Sequence, residues 1–200
     1  MCDFLILLKS ESTAQRVTEG IVRYLEENLS LPLNKDKTEL ARIKGVPFLG
    51  FQILQGKIRV NNKARIKFKD RLRKLTRRNS PVSMYQITHD LNEYLRGWVS
   101  YFGIQEFRYL LRDSDSWIRG RLKSIQLKKW KKPTKFQRMM IYSGFKPQEA
   151  HRVWIKMNIW QSVERKEVRF IMNLTWFRKQ GLIFLHDFTQ QTLELQLFSR

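Results

Sequence analysis

The basic residues of this 200-residue chain are concentrated beyond residue 60, and that placement limits what the second part can be. Residues 1–60 hold 9 Lys or Arg against 7 Asp or Glu, whereas residues 61–200 hold 30 against 11. The formal net charge of +21 is therefore almost wholly a property of the later part. So much like charge opposes compaction unless something anionic relieves it. Nucleic acid is the usual relief, ahead of an acidic membrane surface or an acidic protein. The plain alternative is a folded protein with a merely basic surface.

Two clusters carry most of the charge. Lys63, Arg65, Lys67, Lys69, Arg71, Arg73, Lys74, Arg77 and Arg78 are opposed only by Asp70. Arg119, Arg121, Lys123, Lys128, Lys129, Lys131, Lys132, Lys135 and Arg138 have no acid among them. Each cluster could neutralise several phosphates and release their counterions, or could be a solvated helix face. Trp98, Trp117, Trp130 and Phe136 are interleaved with them. Arginine offers phosphate a bidentate fork, and an aromatic ring offers unpaired bases a stacking face. Core packing is expected for at least half of these rings.

Composition excludes other classes. With 42% apolar and 12% aromatic residues the chain can bury a core, so disorder over most of its length is not expected. The longest clean apolar run, residues 4–8, is far short of the ~20 residues of a membrane span. It has no positive flank and does not read as a signal peptide. The single cysteine, Cys2, allows no internal disulfide and no Cys-pair zinc site, which fits a reducing cytoplasm.

The pattern predicts an α+β chain with a boundary near residues 60–63. Residues 4–8 read as a short buried strand. Ser10 or Ser12 then caps a helix with Val17, Ile21, Tyr24 and Leu25 inward. Residues 48–54 and 57–60 read as a hairpin turning at Gln55-Gly56. Helical spacing follows, with Ile66, Phe68, Leu72 and Leu75 on one face. Ser83-Met84-Tyr85-Gln86 has the form of a capping box before Ile87, Leu91, Tyr94 or Leu95, Trp98 and Phe102. A helix over about 114–130 points Ile118, Leu122 and Ile125 inward and is ended by Pro133. Gly144 and Pro147 punctuate two shorter helices. Residues 163–179 suit either a strand pair or a helix, stopped by Gly181; 192–198 suit an edge strand or an unstructured tail.

In order, the chain shows Met1-Cys2-Asp3-Phe4, Leu33-Asn34 with Lys37-Thr38, Phe48-Leu49-Gly50-Phe51, and the run from Lys69 to Asn79. Leu91-Asn92, Leu95-Arg96-Gly97-Trp98-Val99, Tyr101-Phe102, Asp115-Ser116-Trp117-Ile118-Arg119 and Lys128-Lys129-Trp130-Lys131 follow. This succession resembles the C-terminal half of group II intron reverse transcriptase/maturases, most strongly over residues 34–132. The resemblance implies a small palm remnant over 1–60, built of strands, one helix and a hairpin. A mostly α-helical thumb or maturase-specific region with a C-terminal tail is implied over 61–200. It implies binding of structured group II intron RNA, assistance of its splicing, and contact with an RNA/DNA template–primer duplex. Both basic clusters are expected to contribute, together with Arg96 and Trp98.

The same resemblance limits the chemistry. The family's palm motif is Tyr-x-Asp-Asp; Asp3 matches its second Asp, and Cys2 falls at the first. Thiolate is a poor ligand for magnesium, and Asp3 alone cannot organise two ions. No polymerase activity is expected of this chain alone, and Mg2+ would enter only with a full palm. RNA binding needs no cofactor. Lys37 matches a position near the nucleotide-binding end of the palm, and Phe48, Leu49, Gly50 and Phe51 match the segment near the primer terminus. Gly50 there would let the backbone approach closely. His89, His151 and His186 show no metal-ligand spacing, so no metal site is expected. Nothing matches the endonuclease that some family members carry. Three readings stand: a maturase-type RNA-binding module acting in the cytoplasm; the carboxy-terminal part of an RNA-directed DNA polymerase, active only with the upstream palm; and a non-functional mobile-element remnant. No membrane partner is expected, and the sequence specifies no oligomeric state.

Overall fold

The structure is a computed structural model describing residues 4–32, 34, 38–42, 44–54, 57–103, 108–157, 162–185 and 187; for 108–111 it describes the backbone. It is α+β. The order is α1 (Glu11–Arg23), β1 (Lys44–Phe48), β2 (Phe51–Leu54), β3 (Lys57–Val60), α2 (Asn62–Leu75), α3 (Met84–Phe102), α4 (Arg108–Lys129), α5 (Pro133–Tyr142), α6 (Pro147–Ile155), α7 (Lys166–Ile171) and α8 (Leu174–Lys179). The chain divides into two compact units, Met1–Asn61 and Asn62–Arg200.

In the first unit Ser10 caps α1, accepting a hydrogen bond from the Thr13 N–H at 3.3 Å. α1 forms where its spacing predicts, but it buries no side chain. Val17, Ile21 and Leu25 are half-buried and Tyr24 is exposed. Residues 4–8 are not a buried strand: Phe4 is 54% exposed and Leu7 59%. A buried strand needs a ladder partner for its N–H and C=O groups and cover for its faces. Among the described residues the sheet is the three-stranded meander β1-β2-β3, in which 4–8 forms no rung.

The stretch 48–54 is not one segment but crosses a turn. β1 and β2 pair antiparallel, closing at Phe48↔Phe51 around Leu49 and Gly50. Both turn residues have positive φ, 47° and 82°, as a type I′ hairpin demands. Gly50 therefore serves the turn, and its carbonyl accepts the Asn61 N–H at 2.9 Å. Gly45, at φ 95°, takes up the register shift between Lys44 and Val46. β2 and β3 form the expected hairpin from Leu54↔Lys57 to Phe51↔Val60. Its turn, Gln55-Gly56, lies outside the described residues.

The second unit is helical and holds a dense core. α2 contributes Phe68 and Leu72; α3 contributes Ile87, Leu91, Leu95, Trp98 and Val99. Ile66 faces out, 52% exposed, because two residues span about 200° of a helix and it cannot share Phe68's face. Ser83 caps α3 by accepting the Gln86 N–H at 3.1 Å. The Gln86 side chain instead donates to Asp90 Oδ1 at 2.6 Å, so only half of the capping box forms. α4 places Ile118, Leu122 and Ile125 inside, as their period predicts. It stops at Lys129, and Pro133 opens α5 rather than ending α4. Residues 163–179 resolve as helix: a 3₁₀ turn at Ser162–Glu164, then α7 and α8. Asn173 caps α8, and Gly181 follows it at φ 81°. Residues 192–198 lie outside the described residues.

Candidate nucleic-acid interface

With its apolar stripe turned inward, α2 leaves Lys63, Arg65, Lys67, Lys69, Arg71, Arg73 and Lys74 exposed, and Arg77 follows them. Arg78 is half-buried, and desolvation lowers the pKa of its guanidinium. Asp70 pairs with Arg73 at 2.6 Å, an exposed i,i+3 pair. That pair neutralises part of one face and leaves the remaining cations to solvent.

The second cluster lies against the end of the first. Arg121 Nε donates to Thr76 Oγ1 at 2.5 Å, and its terminal nitrogen donates to the carbonyls of Thr76 at 3.0 Å and Arg73 at 3.2 Å. These carbonyls end α2, where the helix leaves acceptors without intrahelical partners and its dipole favours a cation. Desolvation, with Arg73 beside it, lowers the Arg121 pKa. Further along α4, Lys128 Nζ donates to Asn79 Oδ1 and Lys129 Nζ to the Val82 carbonyl. Desolvation lowers the pKa of Lys129. The two clusters, about forty residues apart in sequence, thus converge along residues 73–82. Arg73, Lys74, Arg77, Lys128, Lys131 and Lys132 remain exposed around that line.

The rings sort differently from the cations. Trp98 is 7% exposed and packs on Phe68 with ring centroids 4.2 Å apart, so it is a core residue and not a stacking face. Trp130 and Phe136 are buried too. Trp117 alone of the four is half-exposed, with Arg121 5.2 Å and Arg73 5.9 Å from its ring centroid. Arg96 is exposed on α3. Arg119 reaches over Phe184 at 5.7 Å. Lys123 is half-buried; desolvation lowers its pKa, Glu164 partly offsets this, and Arg169 and Arg119 add to it.

Residues 66–143, from the first turns of α2 to the end of α5, match the family described as group II intron, maturase-specific domain. This stretch of the helical unit is similar to the group II intron maturase-specific domain. No curated protein matches the chain.

Within the matched stretch, the segments that carry the resemblance have distinct physical tasks. Asn92 is a clamp on a distant backbone: its Nδ2 donates to the Gly181 carbonyl at 2.6 Å, and its Oδ1 accepts the Ile183 N–H at 3.0 Å. Buried Thr88 donates from Oγ1 toward the Gln180 carbonyl at 2.7 Å. Buried Asp115 accepts the Leu185 N–H at 3.0 Å. Three side chains of α3 and α4 therefore hold residues 180–185, beyond the matched stretch. In Asp115-Ser116-Trp117-Ile118-Arg119, the Asp holds that segment, Ile118 enters the core, and Trp117 meets the two guanidinium groups. Thr88, on which the tie to Gln180 depends, carried no motif signal.

Phe48, Leu49, Gly50 and Phe51 form the tip of the β1–β2 hairpin, with Leu49 exposed. Cys2, Asp3 and Lys37 lie outside the described residues. His89 stands 3.6 Å from Asp90, and His151 Nδ1 meets Gln137 Nε2 at 3.2 Å; His186 lies outside the described residues. Among the described residues no three His, Cys, Asp or Glu side chains group to hold a metal. No described helix is long and apolar enough to cross a membrane.

Proposed function

We propose that this chain binds structured group II intron RNA through the surface along residues 73–82 and assists splicing by stabilising one RNA fold. The observation that carries this reading is the convergence of two acid-poor basic clusters inside a matched maturase-specific domain. Exposed cations carried by a folded helical unit meet a phosphate backbone without the main chain having to order first. Arg121 has Nε and one terminal nitrogen committed to the end of α2, which leaves its other terminal nitrogen for phosphate. Lys74, Arg77, Lys128, Lys131 and Lys132 are the phosphate contacts of this reading. Stabilising an RNA fold is binding, so it requires no cofactor from the protein; Mg2+ chemistry belongs to a complete palm. A cytoplasmic setting accompanies this reading.

The test is a titration of the full chain against folded group II intron RNA, an unrelated RNA duplex, an RNA/DNA duplex and single-stranded RNA at several salt concentrations. Preference for the intron RNA, with affinity falling steeply in salt, is the expected result. Replacing Lys74 or Lys131 with Ala lowers the salt slope by about 1 each. Preference for the RNA/DNA duplex would favour the polymerase-part reading. Equal binding to all four would leave only the nonspecific phosphate attraction and favour the remnant.

A further inference from the structure

Along α4, Asp113, Ser116, Trp117, Gly120 and Arg121, together with Glu164 from the 3₁₀ turn, line an open groove of about 530 Å³. Its chemistry differs from that of the surrounding surface. Trp117 is half-exposed there, and the guanidinium groups of Arg73 and Arg121 lie over its ring, so a ligand meets the part of the indole that they leave uncovered. Arg121 is itself fixed by its bonds to the end of α2, so the indole wall is set before any ligand arrives. Gly120 lies three residues beyond Trp117, and a Cβ placed on it would meet nothing within 4 Å. The floor beside the ring is therefore open to a flat group.

Asp113 and Glu164 are exposed, and neither makes an ion pair within 4.0 Å of a described basic residue. In a chain of net charge +21, two carboxylates in the groove that Arg121 also lines offset the local positive charge and accept N–H donors. The groove thus asks for a planar group with an N–H-rich edge, carried by a polymer whose phosphates rest on the cations around it. Among the RNA bases, guanine alone presents two adjacent N–H donors on its Watson–Crick edge, the pattern a carboxylate accepts with both oxygens.

The geometry points to this groove as the receptor for one unpaired guanine of the bound RNA, with its face against Trp117 and its donor edge on Glu164 or Asp113. The assignment rests on the RNA-binding reading above and adds a base-specific site to it.

The test uses the full chain and four RNA hairpins, identical except for a single bulged G, A, C or U, at one fixed salt concentration. The G hairpin binds roughly tenfold tighter than the U hairpin. Glu164→Gln or Asp113→Asn removes most of that preference while the salt dependence of the U hairpin stays as it was. Gly120→Leu fills the open floor with a residue that favours the helix, and it abolishes the preference with the helical signal intact. Trp117→Leu weakens the G hairpin selectively. Equal binding of all four hairpins overturns the groove and leaves the RNA reading standing. An unchanged preference in all four variants does the same. If no hairpin binds with salt dependence, both readings fall.

Discussion

In the unit Met1–Asn61, Phe4, Leu7, Tyr24, Leu31 and Leu40 are exposed, and α1 buries nothing in spite of an apolar stripe at helical spacing. In the unit Asn62–Arg200, α3 has the same kind of stripe and buries Ile87, Leu91, Leu95 and Trp98. Periodicity is alike in both; the layer that covers it is not. A stripe predicts which side of a helix seeks cover, and burial follows only where a second element supplies it. The helical unit supplies it: α2 packs against α3 and α5 against α6 and α7, and residues 180–185 are tied across a long stretch of sequence to α3 and α4.

Truncation tests this contrast most sharply. All six tryptophans lie beyond residue 61, so their fluorescence reports on the helical unit. Leu122→Ala is expected to lower the stability seen in denaturant-induced unfolding by about 3–5 kcal/mol, because the fully buried side chain leaves a cavity. Val17→Ala in α1 leaves the same transition within ~0.5 kcal/mol of its original stability. Equal losses in both would erase the distinction between the units.

The polar ties come next. Asp115→Ala leaves the buried Leu185 N–H without its acceptor and is expected to cost about 2–3 kcal/mol in the same assay. Amide exchange at Leu185 should rise in parallel. Asn92→Ala removes a donor and an acceptor from a partly exposed clamp, with an expected loss of about 1–2 kcal/mol. Asn92→Asp keeps the acceptor for Ile183 but sets a carboxylate oxygen against the Gly181 carbonyl, so its loss should be at least that of Ala.

The smallest effect is a slope. Desolvation lowers the Lys123 pKa below its ordinary value of 10.5, so the unfolded chain holds the proton more tightly than the folded one. Its desolvation penalty is fully present below the folded pKa and is relieved as pH rises toward 10.5. Lys123→Met should therefore stabilise the helical unit slightly at neutral pH, and that advantage over the parent chain should shrink in alkaline solution. A gap that widens with pH would contradict the assigned cause.

The helices α1, α3 and α4 were legible because each runs long enough for apolar spacing to declare itself, while α7 and α8 were not. Six residues make under two turns, too few to tell a helix from a strand pair. The break at Leu49-Gly50 was hidden because leucine is not a residue that announces positive φ. Trp98 could have been assigned to the core, since it continues the stripe of Ile87, Leu91 and Leu95. The basic clusters were visible as composition, but their meeting along 73–82 was not, because it depends on how α4 lies against the connector after α2. The ties from Thr88, Asn92 and Asp115 had no local signal either: their partners are 70 to 92 residues away.

Those ties also order events in time. During synthesis α3 and α4 leave the ribosome well before the segment that Asn92, Thr88 and Asp115 hold. From the end of the matched stretch at residue 143 to Leu185 there are roughly 40 residues, or about 2–8 s of translation at ordinary elongation rates. Through that interval the three polar side chains lack their backbone partners, and the core positions Val168, Ile171, Phe177 and Leu185 are still empty. Closure of the helical unit thus waits for residues 180–185. A pause in translation beyond residue 143 would prolong the exposure of a nascent core beside a surface already charged enough to attract RNA.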